Sequence, residues 1–301
     1  MFEFFSVFID VILPVFGIVL LGALLGRRLA LEARTLTRAA YYVFAPAFIF
    51  KAISTADMPL SNALVLVLFI VSVHLATVFI SGGIGRLFGY SREMIAAFLM
   101  IACFGNVGNF GLALIQFHLG DESLAPATIY FVAVSISAFA ICVGAAGWAH
   151  GGSRGAVWKV IKTPALWATL PAAVVSGGDL QVPLVLERMI GLLSGAMIPV
   201  MLFALGLQLV EQGKVHLDKD VLLGSSIRLV LAPALAFILA PLFVSDSIES
   251  AAGILQAAMP AAIFVSIIAK ENDIVPAYVT SVVVVSTLAS LVTLSLLMVL
   301  L

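Results

Sequence analysis

The sequence predicts an all-α integral membrane protein of ten transmembrane helices, built as a five-plus-five inverted repeat with broken crossing helices in spans 4 and 9. Three observations predict it. First, hydrophobic residues make up 63% of the 301 and charged residues 10%, with a mean hydropathy of +1.22. A soluble domain carries about a quarter charged residues, so this chain has too few to cover a water-facing surface. Second, apolar runs of the length that crosses hydrocarbon, about 17–25 residues, recur along the chain. Third, two of these runs, one in each half, are interrupted by residues foreign to a continuous membrane helix: Cys103-Phe104-Gly105-Asn106-Val107-Gly108-Asn109-Phe110-Gly111 and Gln256-Ala257-Ala258-Met259-Pro260-Ala261-Ala262. Backbone freed in this way survives at membrane depth only where protein buries it or a cavity adjoins it.

The spans fall near 5–26, 36–56, 61–85, 94–117, 124–148, 163–178, 184–209, 221–244, 250–269 and 275–300. The first is expected to stay as a span, because the N-terminus carries Glu3 and Asp10 and no Lys or Arg comes before Arg27. A cleaved signal peptide begins with a basic region. Lys and Arg in the short loops set the orientation. With the N-terminus outside, Arg27, Arg28, Arg34, Arg38, Arg86, Arg92, Arg154, Lys159, Lys162, Lys214, Lys219 and Lys270 are cytoplasmic, and only Lys51 and Arg188 lie opposite. The expectation is a multi-pass protein of the inner (plasma) membrane with both termini non-cytoplasmic.

The halves echo each other. Pro46 in span 2 and Pro199 in span 7 are 153 residues apart, and the breaks at Asn106 and Pro260 are 154 apart. Five spans is an odd number, so the second copy enters the membrane upside down, and spans 4 and 9 cross near the midplane. Residues 1–150 form the first repeat and 151–301 the second, intertwined in one membrane domain.

A broken helix offers a ligand free amide N–H groups and a partial positive charge at a half-helix N-terminus, so an anion can be held without a lysine. The candidate substrate-binding residues are Gly105, Asn106, Gly108 and Asn109 from the first break, with Gln256, Met259 and Pro260 from the second. Asn106 brings an amide donor, and Gly105 and Gly108 let a ligand approach the backbone. Pro260 removes a donor and frees a carbonyl one turn earlier. Gln256, on a similar face, suits either a ligand contact or an interhelical hydrogen bond. Pro46, Pro199 and Gly111 are the candidate helix breaks or hinges.

Two ionisable groups lie deeper. His74 falls near the middle of span 3, and Arg228 lies seven residues into span 8, about 10 Å from its end. Such residues default to a functional reading. Arg228 suits a substrate path or gate, or a stem that snorkels to the interface. His74 suits a proton carrier or a neutral hydrogen-bonding group. Ser135, with Ser137, Ser281 and Ser286, suits either Na⁺ coordination or helix–helix hydrogen bonds. No acidic residue falls inside spans 3, 4, 5 or 10 away from their ends, so Na⁺ or H⁺ coupling is left open, and no cofactor or metal is expected. Cys103 and Cys142 read as small buried hydrophobes. Neither a basic stripe for nucleic acid nor a serine–histidine, paired-acid or metal constellation for an enzyme is present. A channel would need a filter or charged ring.

The motifs resemble the auxin efflux carrier family, whose bacterial members include malonate-carrier-like proteins. They are Leu21-Gly22-Ala23-Leu24-Leu25-Gly26-Arg27, Tyr42-Val43-Phe44-Ala45-Pro46-Ala47, the Gly105–Gly111 segment, Lys162-Thr163-Pro164, Ile198-Pro199 with Ala204-Leu205-Gly206-Leu207-Gln208-Leu209, Ala258-Met259-Pro260-Ala261-Ala262 and Ser286-Thr287-Leu288. The resemblance implies a fold similar to that of bile acid–sodium symporters. It also implies elevator-type alternating access of a core against a scaffold, and transport of a small mono- or dicarboxylate contacted by Asn106. The alternative is a Na⁺-coupled carrier of another organic solute, like the bile acid symporters. A homodimer is compatible with this reading. The sequence departs from the family pattern where Gly111-Leu112 runs into Ala113 in place of a proline. The short loop between spans 5 and 6 also departs from plant members.

Overall fold

A chain this poor in polar side chains must satisfy its backbone internally, and helices do so without partners. In the computed structural model the described residues (2–56, 58–150, 164–178, 180–212 and 214–301) are helical apart from loops, one antiparallel bridge and the two breaks. Asp57, Arg154, Lys159, Lys162, Thr163 and the boundary between the two expected repeats lie outside the described residues.

The first helix, α1, runs through Phe2–Val7, Phe8–Ile12 and Leu13–Arg28, and α2 through Ala33–Ala39, Ala40–Phe44 and Ala45–Ser54. Next come α3 (Leu60–Leu87), α4 (Arg92–Cys103), α5 (Val107–Gly111 with Leu112–Leu119) and α6 (Leu124–His150). The second half holds α7 (Pro164–Gly177), α8 (Leu184–Glu211) and α9 (Lys219–Ser226, Ile227–Leu231 and Ala232–Phe243). It closes with α10 (Ser247–Ala258), α11 (Ile263–Glu271) and α12 (Pro276–Leu300). Six helices among the described residues are long and apolar enough to cross a membrane unaided: Phe4–Gly26, Leu60–Leu87, Asp121–His150, Leu184–Glu211, Lys219–Phe243 and Pro276–Leu300. The protein is therefore all-helical and multi-pass.

Prolines shape several of these helices. The wide π turns at Phe8–Ile12, Ala40–Phe44 and Ile227–Leu231 each end two residues before a proline, at Pro14, Pro46 and Pro233. A proline has no N–H and crowds the carbonyl four residues back, and the turn before it widens to accommodate both. The helix continues through Pro46, and Pro199 sits inside the unbroken Leu184–Glu211.

Packing sorts the helices into two groups. Helices α1, α2, α7 and α8 pack chiefly on one another; α3, α4, α6 and α9–α12 form the other group. The α1–α8 contact is a backbone crossing. A Cβ at Gly22 would collide with the carbonyl of Phe203, and one at Gly206 with the carbonyl of Val19. Between membrane helices, where lipid removes the hydrophobic drive, such close approach of small residues supplies the dispersion contact that holds them.

Candidate functional site

The two breaks meet. Gly105 and Ala261 form an antiparallel bridge, the N–H of Asn106 donates to the Pro260 carbonyl at 2.7 Å, and the N–H of Ala262 donates to the Phe104 carbonyl at 2.9 Å. A third bond comes from α12, where Ser286 Oγ accepts the N–H of Ala261 at 3.2 Å. The short extended segments that interrupt each helix thus satisfy one another, which is how non-helical backbone persists at this depth.

Four helix ends converge there. α4 ends at Cys103 and α10 at Ala258, so two C-termini point their carbonyls inward; α5 starts at Val107 and α11 at Ile263, so two N-termini point their N–H groups inward. Arg228, 1% exposed and drawn from the π turn of α9, takes the C-termini. Its Nε donates to the Met259 carbonyl at 2.6 Å, Nη1 to the Ala102 carbonyl at 2.9 Å and Nη2 to the Gln256 carbonyl at 3.4 Å. Pro260 has no N–H to give the Gln256 carbonyl four residues back, and that carbonyl accepts from Arg228 and from the Met259 N–H, each at 3.4 Å. Gly105 makes room for it: a Cβ there would sit on Arg228 Nη2.

The charges follow from this geometry. Each helix end carries about half a unit, negative at the C-terminus and positive at the N-terminus. The guanidinium offsets both C-termini, leaving about one positive unit from the N-termini of α5 and α11. Neither of those N-termini is closed by a side-chain cap. Asn106 is the residue before α5, 5% exposed, and its Nδ2 has no hydrogen-bond partner. A buried amide donor without a partner beside two uncapped N-termini suits an acceptor-only ligand such as a carboxylate.

The other candidates lie as follows. Met259 and Pro260 are fully buried and contribute carbonyls to the crossing; Asn109 is half-buried in the first turn of α5. Gly108 packs on the Phe131 ring, where a Cβ would stand 2.7 Å away, and Gly111 packs on the Gln256 side chain. Gln256 makes the interhelical bond, Nε2 to the Ala127 carbonyl at 3.1 Å, and its Oε1 is buried without a partner. His74 is paired through Nδ1 with Ser137 Oγ at 2.9 Å, with Nε2 buried and unpartnered. Ser135 donates to its own helix at Phe131, and Ser281 accepts the N–H of His216. Cys103 and Cys142 are free and buried, with sulfurs 4.0 Å apart. No group of three or more His, Cys, Asp or Glu able to hold a metal occurs among the described residues. A carbonyl such as that of Ala102 carries no sequence signature. The capping role of Arg228 was in principle readable, since an orphaned carbonyl at depth needs a donor.

Paired discontinuous helices meeting inside a multi-pass helical protein are a way in which membrane transporters build binding sites. Comparison with known proteins agrees. Residues 153–298 match the family described as "Membrane transport protein". An "Uncharacterized transporter" of Methanothermobacter thermautotrophicus is 27% identical over 294 residues, covering 95% of this chain and 96% of that protein. A Rhizobium meliloti protein named "Putative malonate transporter" is 24% identical over 297 residues, covering 94% and 92%. The likeness is thus to membrane transport proteins, over the second half of the chain for the family and over nearly its whole length for the two proteins named as transporters, and it is the likeness of a transporter and not of an enzyme.

Proposed function

We propose that the protein carries a small organic anion, a mono- or dicarboxylate, bound at the crossing of the two broken helices. The observation that carries this reading is the uncompensated pair of helix N-termini beside the unpartnered Asn106 amide, with Arg228 occupying both C-termini. The ligand sits against Asn106, Gly105, Gly108 and Asn109 on one side and Met259, Pro260 and Gln256 on the other. Arg228 acts from behind the site.

The ten-span inverted repeat, residues 1–150 and 151–301, accounts for the packing. Exchanging the halves turns the α1–α8 contact into the α7–α2 contact, and both are extensive. It likewise pairs the break of α4/α5 with that of α10/α11. The group α1, α2, α7 and α8 would be the scaffold and the remainder the core, with the crossing carried on the core in an elevator-type movement. Pro46, Pro199 and Gly111 would be the flexing points, and His74 and Ser135 lie on the core side as coupling candidates. The basic loops orient both termini away from the cytoplasm in the plasma membrane.

The test is uptake of labelled malonate, succinate and acetate into proteoliposomes, with Na⁺ and pH gradients applied separately. Saturable carboxylate uptake abolished in Asn106→Ala supports the reading. Uptake only of neutral or cationic solutes contradicts it. Uptake strictly dependent on Na⁺ with a non-carboxylate solute favours the bile-acid-symporter-like alternative.

A further inference from the structure

Two cavities adjoin at one end of the molecule, and together they have the form of a polar head and an apolar tail. The first, of about 480 Å³, lies where the end of α2 and the middle of α8 face the starts of α6 and α10. Lys51 and Ser194 line it from one side, and Asp121, Glu122, Asp246 and Glu249 from the other. The second, of about 620 Å³, runs between α2 with α7 and α3 with α6, walled by apolar side chains such as Leu64, Val67, Val71, Ile129 and Val132. Ala56, Met58 and Ala125 line both cavities, so the chamber continues into the groove.

We propose that this pair of cavities binds an aminophospholipid, phosphatidylethanolamine, with its ammonium among the carboxylates, its phosphate towards Lys51 and an acyl chain along the groove.

Charge complementarity sets the headgroup. Among the described residues four carboxylates face one lysine, so the chamber favours a cation and repels an anionic head. The carboxylates are not spent internally. Asp246 Oδ1 accepts the N–H groups of Ile248 and Glu249, and Asp121 Oδ1 accepts the Gln116 amide; these are single-oxygen contacts that leave the second oxygen of each carboxylate available. Lys51 makes no ion pair among the described residues, and the carboxylates do not converge as a metal-ligating group. Ser194, 7% exposed, borders the chamber with a hydroxyl that bonds to no described residue. Burial and the neighbouring Asp246 push the Glu249 carboxyl above the ordinary range, the condition of an acid short of a cationic partner. A primary ammonium supplies three donors for such a set, and a phosphate supplies acceptors for Lys51 and Ser194.

Length sets the tail. From Ala125 to Ser137 the groove follows α6 for twelve residues, about 18 Å at 1.5 Å each. One leaflet is half of a hydrocarbon core about 30 Å thick, so the groove matches a single leaflet in depth. It also separates α2 and α7 from α3 and α6, so a lipid seated there touches both packing groups. None of this depends on the anion reading.

The test is thermal unfolding of delipidated protein in mixed micelles with phosphatidylethanolamine, phosphatidylcholine or phosphatidylglycerol, and with free phosphoethanolamine. Phosphatidylethanolamine is expected to raise Tm by several degrees more than either other lipid, and free phosphoethanolamine by little. Glu122→Gln/Glu249→Gln is expected to erase the preference, Val67→Trp to weaken phosphatidylethanolamine and phosphatidylcholine alike, and Asn106→Ala to keep the preference in full. Native mass spectrometry of the wild type with equal phosphatidylethanolamine and phosphatidylglycerol gives the same comparison without a variant, with the first expected to dominate the bound lipid. Equal retention or stabilisation by phosphatidylglycerol, a preference surviving Glu122→Gln/Glu249→Gln, or a full shift from phosphoethanolamine alone would overturn the proposal.

Discussion

Replacing Arg228 is the severest single change available at the crossing. Its guanidinium makes three hydrogen bonds to carbonyls at the ends of α4 and α10, and it is 1% exposed. Hydrogen bonds to a charged group contribute about 1.5–3 kcal/mol each, and every buried carbonyl left unmatched costs about 1–3 kcal/mol. Removing one member of such an arrangement typically costs about 3–5 kcal/mol, less than the gross sum because burying the ion is itself unfavourable. For Arg228→Ala this means a Tm lower by on the order of 10 °C. The decisive readout is the coupling to Gly105. In the wild type, Gly105→Ala must displace the guanidinium, because the new Cβ would occupy its Nη2 position. In an Arg228→Ala background the space is empty, so the same change should cost far less. A thermal-unfolding double-mutant cycle in detergent should give a coupling of about 2 kcal/mol, within the range for touching residues. Costs that add to within about 0.5 kcal/mol would refute the assignment of Arg228 to the crossing.

Three further outcomes follow from the packing. Gly206→Leu should part α1 from α8, since even a Cβ there collides with the Val19 carbonyl, and lower Tm by more than the same change at the open Gly191, read by differential scanning fluorimetry. Gly253→Val should be similarly damaging, because a Cβ at Gly253 lies 2.5 Å from the Phe69 ring and 2.8 Å from the Tyr130 ring. In the loop before α4, Tyr90 donates to the Asp220 carboxylate, and that bond, with burial second, pushes its hydroxyl up to about 12. A raised pKa gives stability that is complete below the tyrosine's ordinary value of 10 and is lost as pH climbs towards 12. The Tm difference between wild type and Tyr90→Phe should therefore be constant from pH 7 to about 9 and shrink above pH 10.

Much of this arrangement was legible in the residues. Gly105, Asn106 and Pro260 announce their breaks because hydrocarbon offers no alternative partner for freed backbone, so their presence mid-span has few explanations. The all-helical, multi-pass class followed from composition for the same reason. Arg228 shows where such reasoning thins out. Its distance from the span end left gate and snorkel both open, and its real partners are carbonyls of Ala102, Gln256 and Met259, which any residue type would supply equally. Gln256 was readable only as a pair of alternatives, and its Nε2 takes the interhelical one while Oε1 stays unmatched. The serines divide in a way that helical spacing does not encode: Ser286 reaches the crossing, whereas Ser135 bonds within its own turn. The two adjoining cavities arise from gaps between helices distant in sequence, and no local pattern marks them.

The central claim, an anion held by Asn106 at uncapped helix N-termini, is tested most directly by thermal unfolding of purified wild type beside Asn106→Ala across small carboxylates, with and without Na⁺. A ligand that binds only the folded protein raises Tm by mass action, with about 2.7 kcal/mol gained at a hundredfold excess over Kd. The account predicts that at least one carboxylate stabilises the wild type and that Asn106→Ala, folded at a similar Tm without ligand, loses the response. Equal stabilisation of both proteins would contradict the site, and a response to neither carboxylate nor dicarboxylate in the wild type would contradict the anion itself.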